Sequence, residues 1–64
     1  MLLNPRIGQR VKIWYAAHYR DMMPYHGQEA IVTISGRGTP RNHQVMLTDG
    51  TKIVVPCGNL IKAG

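Results

Sequence analysis

From Gln9 to Tyr15 the chain alternates, with Val11, Ile13 and Tyr15 on one side and Arg10, Lys12 and Trp14 on the other. A period of two predicts a half-buried strand with the apolar row inward. The same pattern predicts a second strand over Glu29–Ser35, with Ala30, Val32 and Ile34 inward and Glu29, Thr33 and Ser35 outward. A third runs over His43–Thr48, with Val45 and Leu47 inward, and a fourth over Thr51–Val55. Pro56 ends the fourth, because it has no N–H to give to a ladder. Leu60–Lys62 can close the sheet as a short fifth strand, with Leu60 in the core.

The connections differ in length. Ala16–Gly27 is a long excursion in which Pro24 and Gly27 disfavour a regular element, although Ala16–Met22 can form a short helical turn. Gly36–Asn42 is a loop dense in turn formers, Asp49-Gly50 reads as a two-residue type I′ hairpin turn, and Cys57–Asn59 as one 3₁₀ turn. A two-residue turn sets Leu47 against Lys52, which turns Val54 inward and Ile53 and Val55 outward. Either a β-bulge restores the usual parity, the simpler expectation, or Met46, Ile53 and Val55 form an outer apolar strip for a partner or a second subunit. Five short strands with one long connection predict a small all-β barrel, because closure removes exposed strand edges.

The 64 residues hold one domain, with its core over about residues 7–62. A domain this small buries only about 60% of its unfolded surface, so every core residue counts. Cys57 is the one cysteine, which excludes an internal disulfide and points to a reducing, cytoplasmic setting. The N-terminal residues lack the apolar run of a signal peptide, and no stretch reaches the roughly 20 apolar residues of a membrane span, so no membrane partner is expected. Eight Lys and Arg against three acids give a net charge of +5, which draws the chain towards polyanions.

Two stretches resemble known families. His26-Gly27-Gln28-Glu29-Ala30-Ile31-Val32-Thr33-Ile34 resembles the second half of the KOW motif of ribosomal proteins and transcription elongation factors, with Ala30 in place of a glycine and His26 in place of a lysine. Arg10-Val11-Lys12-Ile13 corresponds to the first half, followed by a longer insertion than the motif carries. Met46–Gly50, then Val55-Pro56 and Leu60, is similar to the close of Tudor-like and other SH3-like barrels. Together these matches run from Ile7 to Lys62 and imply a five-stranded SH3-like barrel. That fold serves RNA, DNA, modified histone tails, proline-rich peptides and other proteins, so it transfers no activity by itself. The layout of Lys52-Ile53-Val54-Val55-Pro56 is also similar to that of the type II dihydrofolate reductases. It lacks their ligand-contacting glutamine and tyrosine.

The residues best suited to chemistry are cations and aromatics. Arg10, Lys12 and Trp14 share one strand face, where an indole can stack on bases while cations hold phosphates. Tyr15, Tyr19, Arg20 and Tyr25 can extend that platform. Arg37 and Arg41 lie in a glycine-rich loop suited to phosphate contacts. The expected partner is therefore RNA or DNA, bound by an accessory protein through phosphates and stacking. The alternative is a protein-interaction module, an adaptor or inhibitor. It would dock through Met46, Ile53 and Val55, or through a groove or methyl-cation cage of Trp14, Tyr15, Tyr19 and Tyr25. His18, His26, His43 and Cys57 match no zinc spacing, and no nucleophile–base arrangement or carboxylate pair is apparent. Neither catalysis nor a cofactor is expected.

Overall fold

A computed structural model describes residues 1–63. Five strands form one antiparallel sheet: β1 (Arg10–Ile13), β2 (Glu29–Ile34), β3 (Asn42–Leu47), β4 (Lys52–Pro56) and β5 (Leu60–Lys62). Their order across the sheet is β4-β3-β2-β1-β5, so the last strand returns to pair with the first. The all-β class, the five strands and the long excursion between the first two are as expected from the pattern. A 3₁₀ turn over Ala17–Met22 occupies the excursion, and a second over Cys57–Asn59 leads into β5. No helix among the described residues is long and apolar enough to cross a membrane.

Val11, Ile13, Ala30, Val32, Val45, Leu47 and Leu60 are buried, as their alternation predicts, and Val55 completes the core. Burying each of the larger side chains stabilises the fold by roughly 1.5–3 kcal/mol. Leu2, Tyr15, Tyr25 and Ile53 pack around this core in part.

Two bulges decide the parity of the rest. Between Val32 and Ile34 the β2–β3 register slips by one residue, so Ile34 lies opposite Gln44. Thr33 occupies the extra position, its hydroxyl donating to the Gln44 carbonyl at 3.1 Å. Ile34, expected inward, is therefore turned out and 55% exposed. At the β3–β4 hairpin, Val45 lies opposite Ile53 and His43 opposite Val55. The loop holds three residues, Thr48, Asp49 and Gly50, closed by Gly50 N–H to Leu47 O at 3.0 Å and Leu47 N–H to Thr51 O at 2.7 Å. Of these three residues Gly50 alone has a positive φ, of 90°, so the expected two-residue type I′ turn is replaced by a turn with a glycine bulge. The extra residue restores the usual parity. Ile53 and Val55 face inward, Val54 faces out, and the alternative strip of Met46, Ile53 and Val55 does not form.

Among the described residues, His43 is the one fully buried polar side chain. Its Nδ1 accepts the Gly36 N–H at 2.9 Å, so Nε2 carries the proton that reaches the Leu2 carbonyl at 3.0 Å. The Leu2 N–H donates to Cys57 O at 3.1 Å, and the Arg41 guanidinium donates to Leu3 O at 3.3 Å and to Asn4 Oδ1. The N-terminal segment is thus fastened across the start of β3 and the turn that follows β4.

Candidate nucleic-acid interface

β1 ends at Ile13, and the chain leaves the sheet with Trp14 on the same outward parity as Lys12. Two hydrogen bonds to the second 3₁₀ turn fix this exit: Trp14 N–H to Asn59 O at 2.9 Å, and Asn59 Nδ2 to Trp14 O at 3.2 Å. The excursion then folds back on Trp14. Ile13 closes its base by accepting the Gly27 N–H at 2.6 Å and donating to Gln28 O at 3.0 Å. Within it, Tyr19 N–H to Ala16 O and Gln28 N–H to Tyr25 O mark successive turns.

These turns gather two side chains at the indole. The His26 ring lies 4.5 Å from the Trp14 ring, centroid to centroid, and its Nδ1 accepts the Tyr15 N–H at 3.0 Å. The Arg20 guanidinium lies over the Trp14 ring at 4.9 Å, and its Nε donates to Tyr15 O at 3.1 Å. Both contacts fall within the reach of aromatic and cation–π attraction. Trp14 remains 40% exposed. In the same 3₁₀ turn the His18 and Tyr19 rings lie 4.1 Å apart, centroid to centroid, and tilted by 45°, with Tyr19 also exposed.

The expected site residues divide into three groups. Lys12 is half-buried, its backbone paired across the sheet with Glu29 and Ile61, and it shares the Trp14 face. Arg10 lies on that face at the far end of β1, where its guanidinium pairs with Glu29 at 3.0 Å. Both side chains are exposed, so this pair contributes little stability but does partly neutralise Arg10. Arg37 is exposed in the β2–β3 loop. Arg41, at the end of that loop, is engaged with the N-terminal segment, and its carbonyl accepts the Cys57 N–H at 2.9 Å. Trp14 and Arg41 therefore flank the same 3₁₀ turn, one at Asn59 and the other at Cys57.

His26 was legible only as a KOW-like position or a stray metal ligand, because its contact with Trp14 is set by irregular backbone. At the other end of β1, an open groove of about 550 Å³ is lined by Asn4, Arg6, Ile7, Gly8, Gln9 and Lys62. It adds two exposed cations to the basic surface. Among the described residues no three His, Cys, Asp or Glu side chains come together as metal ligands. No protein-family model, curated protein or solved structure matches this chain.

Proposed function

We propose that this protein binds single-stranded nucleic acid, or unpaired segments of a structured RNA, as an accessory factor. The observation that carries the reading is the Trp14 indole, part-exposed on the Lys12 face and bordered by Arg20 and His26. A base stacked on an exposed aromatic contributes about 1–3 kcal/mol, and arginine adds attraction to both the ring and the phosphate. Lys12 and Arg37 supply further phosphate contacts, with Arg10 contributing where it leaves Glu29. The net charge of +5 brings the polyanion to the surface.

The return of β5 to β1 after a 3₁₀ turn supports reading the sheet as an SH3-like barrel, and a single half-buried cysteine suits the reducing cytoplasm. A methyl-cation cage is the weaker fit, since the charge beside Trp14 is the Arg20 cation, which repels a second cation and attracts a phosphate.

The test is a titration of the full chain into fluorescein-labelled single-stranded RNA and DNA of mixed sequence. Binding should fall with salt by about 0.7 log units per phosphate contacted for each log unit of salt. An absence of binding at low salt would overturn the reading.

A further inference from the structure

The outer face of the sheet carries an aliphatic surface that the nucleic-acid reading does not use, the two sharing only Arg10 at its edge. Pairing places Arg10 beside Ile31, Ile31 beside Met46, and Met46 beside Lys52, in one row across four strands. The next row holds Ile34, Gln44 and Val54. Ile31, Ile34 and Val54 are 39%, 55% and 64% exposed, and Met46 is half-buried. The glycine-bulge hairpin turns Val54 to this face and the β2 bulge turns Ile34 to it. A contiguous aliphatic patch of this kind on a small domain marks an interaction site. It lies beside β4, which pairs with β3 alone and so leaves an open sheet edge.

We propose that this face docks a protein segment with an aliphatic stripe bounded by carboxylates. Strands lie about 4.8 Å apart, so the row from Arg10 to Lys52 spans about 14 Å and ends in a cation on each side. Lys52 is exposed and has no carboxylate partner among the described residues. Arg10 shares Glu29, which an incoming acid would displace. A second copy fits poorly. It would bring two +5 molecules together with their cationic rims, with Glu29 the one acid on either strand face. Nucleic acid fits poorly too, since Ile31, Ile34, Met46 and Val54 offer no aromatic ring for a base.

The partner chemistry can be read by panning a random peptide display library against the full chain. Enriched peptides should carry acidic residues flanking aliphatic ones. They should bind Ile34→Thr/Val54→Thr and Lys52→Glu variants more than about tenfold more weakly, as expected at interface hot spots. Threonine keeps the β-branched shape at both exposed positions, so the fold survives, which the amide NMR spectrum checks. Trp14→Ala should bind these peptides as the parent does, which separates this surface from the nucleic-acid site. Three outcomes would overturn the proposal. They are no enrichment, enrichment of peptides indifferent to these substitutions, and a concentration-dependent dimer in sedimentation that Val54→Thr abolishes.

Discussion

The guanidinium of Arg20 is held over the indole of Trp14 by the neighbour of that tryptophan in sequence, because the Arg20 Nε donates to the Tyr15 carbonyl while the charge rests on the ring. The excursion thereby delivers a cation to an aromatic that leaves the sheet on a different element. Trp14 is the one tryptophan in the chain, so its emission reports on this contact directly. Nucleic acid should quench it on binding. Trp14→Ala should weaken binding by about 1–3 kcal/mol with little change in salt slope, as expected for lost stacking. Arg20→Ala should leave the emission shifted towards that of a more solvated indole and, like Arg37→Ala, should lower the salt slope.

Arg37 and Arg41 should separate in their effects although both lie in one loop. Arg37→Ala should reduce affinity and salt slope alone. Arg41→Ala frees Leu3 and Asn4, so it should also lower the urea midpoint, which a paired denaturation and binding series measures.

Replacing His43 by Phe keeps an aromatic ring in the core but removes both hydrogen bonds. The Gly36 N–H and the Leu2 carbonyl then lose their partner, at about 1–3 kcal/mol for each group left unsatisfied. Urea unfolding should show a loss of about 2–6 kcal/mol. A parent-like midpoint would mean that water replaces both contacts.

Gly36 is required for close approach rather than for turning. A Cβ placed there would overlap the carbonyl oxygen of Asn42. Gly36→Ala should therefore cost about 1–3 kcal/mol, the range for forced overpacking. A variant as stable as the parent in thermal unfolding would show that the loop yields.

The Asp49 carboxyl is held below its ordinary value of 3.8, chiefly by the Thr51 backbone N–H at 2.9 Å and then by the Thr51 side chain. A depressed folded value means the contribution is present above the unfolded value and is lost as pH falls through the folded one. Asp49→Asn keeps an accepting oxygen without the titration. Its stability should therefore fall less steeply than the parent's below about pH 4, where aspartate titrates. Parallel acid slopes would remove Asp49 from the acid response.

Where strand parity was legible in the sequence, it was legible because burial has a period of two. Val11, Ile13, Ala30, Val32, Val45 and Leu47 all lie where their alternation puts them. Ile34 escaped because one extra residue opposite Gln44 reverses a face without altering composition. At the hairpin the simpler expectation, a bulge that keeps Val55 inward, is the one the structure adopts, while the two-residue turn is not, since Asp49-Gly50 suits both a two-residue turn and a three-residue loop. His43 lies in the inward row of β3, yet its partners Leu2 and Gly36 come from segments with no periodicity. At the candidate interface, the exposed Trp14 and its strand-mate Lys12 were readable. The placement of His26 and Arg20 was not, because a chain of short turns sets it rather than a regular element.

The clasp from Leu2 to His43 and Cys57 has a consequence for how the chain is born. Leu2 leaves the ribosome long before either partner, and at about 5–20 residues per second it waits some seconds for them. Until then the Leu2 carbonyl lacks its His43 donor and the Leu2 N–H its Cys57 acceptor. The clasp therefore closes late, by docking a segment synthesised early onto residues synthesised well after it, and chaperones or proteases meet an unfinished sheet before they meet the finished one.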